Sequence, residues 1–391
     1  MDFNFSPEDE AFRQEVRAWL KENLPESWTG DDDTPAGDTA ERYAMRIAWQ
    51  RKLHAKGWAA PTWPREYGGG GLTVTQTVIL DEELVKARAP QAVNGVALRF
   101  AGPTLIVSGT EEQKHRFIPK MINCEEMWCQ GFSEPDAGSD LASLKCRAVA
   151  DGDDYVINGQ KVWSSGAHRA DWCILLVRTD PKAPKHKGIT YLLVDMHSPG
   201  IEVRPLKQMT GHANFDEIFF DNVRVPRKNI VGQENRGWYV AMTTLGFERT
   251  TTSRGIGFRR DIADLTRLAA NTLRHGRPAI DDPAIRQQLA KCAIEAEIVA
   301  LNGARVLTSR IKGQVPGPEA QMGKLFYSEL NTRIGELATE ILGMDVLLDQ
   351  ASEASQYWQY RFLVAKGLTI AAGTSEVLRN VIGERVLGLP K

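Results

Sequence analysis

The chain has 391 residues, 42% of them hydrophobic, and a formal net charge of -2 at pH 7. This length is enough for two or three domains whose hydrophobic cores are stable without disulfides or structural metal ions. Because the charges nearly balance, the composition excludes a basic field over the whole chain that would hold nucleic acid or an anionic membrane. The five cysteines lack C-x-x-C spacing and the seven histidines are scattered, which predicts no metal site and a reducing compartment.

The N-terminal sequence indicates the compartment. It contains no basic region followed by an apolar stretch, and no apolar run in the chain approaches about 18 residues. We therefore expect a cytoplasmic protein with no membrane partner.

Helical periodicity dominates the first third of the chain. Ser6 followed by Pro7 and two acidic residues is typical of a helix start. Further helices are predicted near residues 39–56, 73–89, 92–108 and 111–122. The glycines at 68–71 follow no predicted strand, so they indicate a flexible loop and not a phosphate cradle. Residues 1–125 are expected to form an α-helical domain.

The period becomes two from about residue 126. Asp-Gly at 151–152 and Asn-Gly at 158–159 lie between apolar, β-branched runs, as hairpin turns require. The clearest strands are predicted at residues 155–157, 173–177, 191–194 and 217–220. Residues 126–233 are therefore predicted to form a small β domain.

Helical periodicity returns after Gly232 and continues to the end. Long helices are predicted near residues 237–273, 283–311, 318–342 and 357–387. Helices of this length with short breaks favour an antiparallel four-helix bundle over residues 234–391.

Two segments of the predicted β domain have the composition of a ring-binding site. Residues 131–140 read Gly-Phe-Ser-Glu-Pro-Asp-Ala-Gly-Ser-Asp, and residues 160–166 read Gln-Lys-Val-Trp-Ser-Ser-Gly. Each segment alone is more often a plain turn or a core tryptophan. Together they offer backbone amides, hydroxyls and an indole, which are the groups needed to hold a flat, hydrogen-bonding ring.

These segments, in this order of elements, resemble the acyl-CoA dehydrogenases, and the resemblance extends from Phe5 to Leu389. It implies a mainly α fold with a central β domain: an N-terminal helical domain, a middle β-barrel and a C-terminal four-helix bundle. It also implies an FAD cofactor and an acyl-CoA substrate.

The resemblance assigns roles to residues in the first segment. The backbone of Phe132 and Ser133, with the Ser133 hydroxyl, would bond the polar edge of the flavin. Gly138 and Ser139 would let the backbone approach the cofactor and the pantetheine.

In the second segment, Trp163 would lie against the flavin ring, and Ser165 would form a hydrogen bond near the nitrogen that accepts hydride. Thr374 and Glu376, near the C-terminus, are expected to contact the cofactor as well.

The family chemistry needs a carboxylate in a dry place, where burial raises its pKa so that it can remove the α-proton. Most members place this base directly before Gly-Thr near the C-terminus, but Ala372 occupies that position here. A minority place it before an arginine on the first long helix of the bundle, where this chain has Glu248 and Arg249. A helical Glu beside an Arg is usually a solvated ion pair, yet the alanine favours Glu248 as base with Arg249 in support. Glu376 is a weaker candidate, because two residues turn a helical side chain by about 200°.

The stretches that usually hold the adenine half of FAD across a subunit interface depart from the family pattern. The family's Arg-x-x-Phe-Gly corresponds here to residues 272–276, and its Gln-Ile-x-Gly-Gly-x-Gly to residues 340–346. Arg274 is a candidate substitute for the arginine, whereas Met344 would crowd a backbone approach. Two interpretations stay open: a sister acyl-CoA dehydrogenase chain completes the site in an α2β2 assembly, or a homo-oligomer has altered adenine contacts.

Residues 128–135 and the placement of Glu248 look most like the large subunits of pimeloyl-CoA-type dehydrogenases and their relatives, which act on dicarboxylyl, branched or ring-bearing acyl-CoA thioesters. The resemblance implies that electrons pass to an electron-transfer flavoprotein. The alternatives are an acyl-CoA oxidase or flavin monooxygenase of the same fold, a non-catalytic subunit of a heteromeric dehydrogenase, and a nucleic-acid-binding offshoot. The balanced charge disfavours the last of these.

Overall fold

The computed structural model describes residues 5–28, 39–248, 254–312, 317–348 and 352–390. In these ranges, helices precede and follow a single large sheet. The helices are α1 (Pro7–Asn23), α2 (Ala40–Ala55), α3 (Val74–Lys86), α4 (Gly102–Ser108), α5 (Glu111–Ile122), α6 (Gly237–Glu248), α7 (Arg254–Asn271), α8 (Pro283–Ile311), α9 (Gln321–Leu342), α10 (Glu353–Leu368) and α11 (Ser375–Arg385). The strands are β1 (Trp128–Gly131), β2 (Arg147–Asp151), β3 (Asp154–Ser165), β4 (Trp172–Arg178), β5 (Ile189–Asp195), β6 (Ile201–Leu206), β7 (Phe215–Pro226), β8 (Leu273–Arg274) and β9 (Arg277–Pro278). The predicted fold class, mainly α with a central β domain, is confirmed.

The chain forms two compact units. The sheet unit comprises Ala40–Gly71 and Gln91–Thr250. The bundle unit comprises Met1–Thr39, Leu72–Pro90 and Thr251–Lys391. The three-domain division predicted from the sequence stays a prediction.

The large sheet organises the sheet unit. Its strands follow the order β1-β4-β2-β3-β7-β6, with β5 paired to the other side of β4. The central residues of β4 and β5 are buried, and both strands are rich in β-branched and leucine side chains, as strands covered on both faces usually are. The strands predicted from alternation lie within β3, β4, β5 and β7, so these predictions are confirmed.

Of the two predicted hairpin turns, one is confirmed and one is wrong. Asp151 and Asp154 pair across a two-residue loop that contains Gly152 at φ 62°. Gly159, in contrast, lies inside β3 at a register shift, with φ 151°. A Cβ at this position would lie 2.7 Å from the Cα of Cys146, so the glycine allows two backbones to pass closely and does not reverse the chain.

The helix predicted at residues 92–108 begins later than expected. Asn94 donates its backbone N–H to Gln50 and its side-chain amide to the carbonyls of Met121 and Glu126. These bonds hold the preceding residues outside the helix. A π-helical turn, Ala97–Ala101, then leads into α4.

The glycines at 68–71, predicted to be a flexible loop, are packed. A Cβ at Gly69 would lie 2.2 Å from the Trp63 carbonyl oxygen, and one at Gly70 would lie 2.4 Å from that of Gly57. The glycines therefore serve close backbone approach.

The bundle unit contains α7, α8, α9 and α10 around one apolar core. Phe258, Leu289, Ile334 and Trp358 contribute one buried side chain from each of these helices. Two of the predicted long helices are divided. Residues 237–273 form α6 and α7, with residues 249–253 outside the described ranges and α6 in the sheet unit.

The predicted helix at residues 357–387 is also two helices, α10 and α11. The turn between them contains Ala372 at φ 57° and Gly373 at φ 98°. A left-handed backbone cannot continue an α-helix, so the chain changes direction here.

None of the helices in the described ranges has both the length and the apolar composition needed to cross a bilayer.

Candidate active site

The first predicted flavin segment begins at Gly131, the last residue of β1. The Phe132 ring is buried and lies edge-on to Tyr191, with centroids 5.8 Å apart. The Ser133 carbonyl accepts the N–H of Val162 at 2.9 Å, and Glu134 and Ala137 exchange backbone hydrogen bonds of 3.1 and 3.0 Å. The segment is therefore held against β3 and closed by a tight turn.

A buried ion pair lies beneath this segment. Lys161, whose side chain is fully buried, places Nζ 2.8 Å from Glu134 Oε1 and 3.0 Å from the Phe132 carbonyl oxygen. The Glu134 carboxylate also accepts the backbone N–H groups of Lys145 at 2.6 Å and Cys146 at 2.9 Å. Buried charges persist in proteins when they are paired and hydrogen-bonded in this way.

The second segment contains a bulge centred on Trp163. Lys161 pairs with Ile218 and Ser164 pairs with Asp216, so Val162 and Trp163 together lie opposite a single residue of β7. Trp163 has φ 61° and leaves 59% of its surface exposed. A bulky residue in this conformation costs about 1–3 kcal/mol, and the bulge presents the indole on the surface of the sheet unit. The alternative that Trp163 is a core residue is therefore wrong.

Small residues beside these groups leave open space. A Cβ built on Gly138 or on Gly166 would meet no atom within 4 Å. Ser139 and Ser165 are exposed. The backbone at these positions is thus accessible to a ligand.

Helix α6 carries the predicted base at its end. Val240, Ala241 and Thr244 are buried, and the Thr244 hydroxyl lies 2.8 Å from that of Thr104. Position 248 comes one helical turn after Thr244 and falls on the same stripe of the helix. The side chain of Glu248 and all of Arg249 lie outside the described residues, so their catalytic roles stay predictions.

In the bundle unit, Thr374 and Glu376 line a cavity of about 530 Å³. Thr374 caps α11 by accepting the Val377 N–H at 3.2 Å. The Glu376 side chain is 79% exposed. Hydrogen bonds from its own backbone N–H and from Thr374 lower the pKa of Glu376, which is the opposite of what an α-proton base requires.

The stretches expected near the adenine have defined positions in the bundle unit. The Arg274 guanidinium lies 3.9 Å from Glu340 Oε1, and Glu340 also accepts the Gln288 amide. Met344 follows Gly343, which has φ 61°, and is 76% exposed. Arg274 is therefore directed toward an acid of its own chain.

Comparison with known proteins identifies the family. Models of the acyl-CoA dehydrogenase N-terminal, middle and C-terminal domains match residues 6–125, 129–223 and 235–387. Acyl-CoA dehydrogenase IpdE1 of Mycobacterium tuberculosis is 40% identical over 391 residues, which is 98% of each chain. The chain belongs to the acyl-CoA dehydrogenase family. As a member, it is an FAD-dependent oxidoreductase that acts on CH–CH bonds.

Two solved structures are similar to this acyl-CoA dehydrogenase over its full length. "Tcur3481-Tcur3483 steroid ACAD" has a TM-score of 0.85 at 31% identity and covers 100% of both chains. The structure of the ChsE4-ChsE5 complex from Mycobacterium tuberculosis has a TM-score of 0.82 at 32% identity, again over 100% of both chains.

The sheet unit of this dehydrogenase offers groups that fit a flavin. Gly138 and Gly166 leave the backbone accessible, and the exposed Trp163 indole offers a flat apolar surface beside the Ser165 hydroxyl. The buried charge of Glu134, at the start of the tight turn, is neutralised by Lys161.

Our sequence analysis missed Lys161 and Glu134, although both lie in the quoted segments. The signal in the sequence was Lys161 itself, because it lies between Gln160 and Val162 in a predicted strand whose alternate side chains face the core. Such a lysine needs a buried acid as partner, and the other segment offers three acids, Glu134, Asp136 and Asp140, of which the structure buries Glu134.

Proposed function

We propose that this acyl-CoA dehydrogenase introduces an α,β double bond into an acyl-CoA thioester, with Glu248 removing the α-proton. Bound FAD supplies the acceptor for the β-hydride. The observation that carries the proposal is the Trp163 bulge, because backbone strain and an exposed indole coincide there with the predicted ring-binding position.

Three features support Glu248 as the base. Glu248 directly precedes Arg249 at the end of α6, the position at which a minority of the family places the base. Ala372 has no carboxyl group. Glu376 is exposed and has a lowered pKa. Arg249 is then a neighbour that holds the carboxylate or lines the acyl pocket.

The remaining site residues bind and orient. The Phe132 and Ser133 backbone and the Ser133 hydroxyl hold the pyrimidine edge of the flavin, Trp163 packs against its ring, and Ser165 donates a hydrogen bond. Gly138 and Ser139 let the pantetheine approach the backbone. In the bundle unit, Thr374 and Glu376 contact the cofactor.

The proposed acyl group is ring-bearing. The support is the similarity over the whole chain to a structure titled as a steroid acyl-CoA dehydrogenase. A pocket for a fused ring gains affinity from apolar contact area, whereas one methylene contributes only about 1–3 kcal/mol of discrimination. Ring-bearing thioesters should therefore react much faster than linear ones.

We also propose that a sister chain completes the adenine side of the site and that electrons leave to an electron-transfer flavoprotein. The Arg274 guanidinium lies 3.9 Å from Glu340 Oε1, within ion-pair distance but beyond hydrogen-bond distance, and Met344 stands where the family pattern has a glycine. A structural neighbour is a complex of two named chains, ChsE4 and ChsE5.

The catalytic test is anaerobic bleaching of the flavin by a panel of acyl-CoA thioesters, repeated with Glu248→Gln. The amide keeps the size of the side chain but cannot accept the proton, so bleaching should slow by about 100-fold or more. Glu202→Gln, at an exposed position on β6, is the matched control and should react like the wild type. An unchanged rate in Glu248→Gln would remove this residue as the base.

The assembly test is the flavin content per chain. The chain purified alone should retain little FAD, and co-purification with its sister chain should give one FAD per pair. A full complement of FAD in the chain alone would instead count against the hetero-oligomer.

A further inference from the structure

We propose that Lys161 and Glu134 are positioning residues for the flavin: this buried ion pair holds the Phe132–Ser133 backbone in place and leaves no net charge of its own beside the flavin's pyrimidine edge. The inference rests on the proposed flavin-binding role of residues 132 and 133.

The pair ties the binding segment to β3 from below. Lys161 Nζ donates to the Phe132 carbonyl at 3.0 Å and to Glu134 at 2.8 Å, while the next residue, Val162, donates its N–H to the Ser133 carbonyl at 2.9 Å. The carbonyls of two consecutive residues, Phe132 and Ser133, are thus each held by a hydrogen bond from one of two consecutive residues of β3. The direction of the intervening peptide groups, which would face the flavin, follows from these bonds.

Lys161 also connects the two segments of the site. It directly precedes the bulge that presents Trp163, and its stem passes beside Gly131, where a Cβ would lie 3.4 Å from Lys161 Cγ. One side chain therefore couples the pyrimidine-binding segment to the strand that carries the stacking indole.

Stability alone does not account for the pair. An apolar pair of similar volume at a fully buried position is often as stable as an ion pair or more so. An ion pair, unlike an apolar pair, also directs a carbonyl and creates a local field. Groups that lock the side chains and backbone around a ligand typically act through such bonds.

Because the pair is neutral as a whole, removing one partner leaves a net charge, and the sign of that charge determines the direction in which the flavin midpoint potential shifts. Reduction of FAD adds negative charge at its pyrimidine edge, so nearby charge shifts the midpoint potential. Lys161→Met leaves the Glu134 carboxylate unpaired and should lower the potential. Glu134→Gln leaves the Lys161 ammonium unpaired and should raise it.

The experiment measures the FAD dissociation constant and the flavin midpoint potential of the full chain, with its sister chain where FAD binding requires it. Each single variant should weaken FAD binding roughly tenfold, the size of loss that follows when a residue that orients a metal ligand is removed. Lys161→Met/Glu134→Gln should bind FAD weakly with a potential near that of the wild type. Lys182→Met, an exposed lysine of the same unit, should change neither quantity.

Shifts of the same sign in the two single variants, or unchanged FAD binding in both, would overturn the proposal, since loosened packing would act alike in both. If the single variants do not fold, the double variant decides, because it leaves no unpaired charge. The double variant should then bind FAD more weakly than the wild type at an unchanged midpoint potential. If it binds FAD as tightly as the wild type does, the positioning role is refuted.

The proposed function fails in a different way. If Ser133→Ala and Trp163→Ala leave FAD binding and bleaching unchanged, the flavin lies elsewhere. If those variants lose FAD while the ion-pair variants keep it, the site stands and only the positioning role is wrong.

Discussion

At the residue scale, two glycines of the flavin-binding segment differ in their surroundings. A Cβ on Gly131 would lie 2.7 Å from Leu175 Cδ1 and 3.1 Å from Cys173 Sγ. A Cβ on Gly138 would meet nothing within 4 Å. Gly131 therefore serves the packing of the sheet, whereas Gly138 leaves space for a ligand.

This difference predicts opposite effects of the same substitution. Gly131→Ala should lower the free energy of unfolding by about 1–3 kcal/mol, because the added methyl overpacks the core. Gly138→Ala should leave stability unchanged and weaken FAD binding. Thermal unfolding without FAD and FAD titration measure the two quantities, and a destabilised Gly138→Ala would contradict the assignment.

At the element scale, α1 and α3 are joined by a buried carboxylate. Glu83 on α3 is 4% exposed and bonds Arg13 at 2.6 Å and Arg17 at 2.7 Å. Burial alone would raise its pKa, but hydrogen bonds from Arg17, Arg13 and Lys86 outweigh burial and lower the pKa of Glu83 from 4.5 to about 2. The two helices of the bundle unit are thus joined by a charge network.

The lowered pKa predicts acid sensitivity of this unit. Because the folded-state pKa lies below the unfolded one, the stabilisation is complete above about pH 5 and is lost as the pH falls toward 2. Its size is about 3 kcal/mol. Glu83→Gln should be less stable than the wild type at pH 7, with the difference shrinking in acid. Denaturant unfolding across pH measures this, with the exposed Glu112→Gln as control; a difference independent of pH would count against the network.

At the scale of the whole molecule, the chain matches acyl-CoA dehydrogenases over nearly its full length, yet its adenine-side residues depart from the family pattern. Arg274 pairs with Glu340 in the same chain. These departures support the proposal that a sister chain supplies the missing contacts.

Electron transfer is tested on the assembled protein. With ring-bearing acyl-CoA and an electron-transfer flavoprotein, turnover should be fast and yield little peroxide, because oxygen is not the proposed acceptor. Stoichiometric peroxide without the flavoprotein would favour an acyl-CoA oxidase. A colourless protein, even with its sister chain, would favour a non-catalytic subunit.

Local sequence predicted most elements of this fold but misread some of their junctions. Helical periodicity located the N-terminal helices, and alternation located β3, β4, β5 and β7. The Asn-Gly at 158–159 has the composition of a hairpin turn, but close contact with Cys146 makes Gly159 part of a bulge. The break between α10 and α11 depends on left-handed backbone at Ala372 and Gly373 and on the Thr374 cap, and the Gly-Thr pair was the signal for it that helical periodicity overrode.

The sequence by itself determined the order of helices and strands and the two segments that form the candidate flavin site, because periodicity and small polar residues act over a few neighbours. Only the tertiary structure decided that Trp163 is exposed on a strained bulge and that Lys161 pairs with Glu134 across 27 residues. A buried charge and a strained backbone persist only where distant parts of the chain converge on them. Such features therefore belong to the packing of the whole unit and not to any one stretch of sequence.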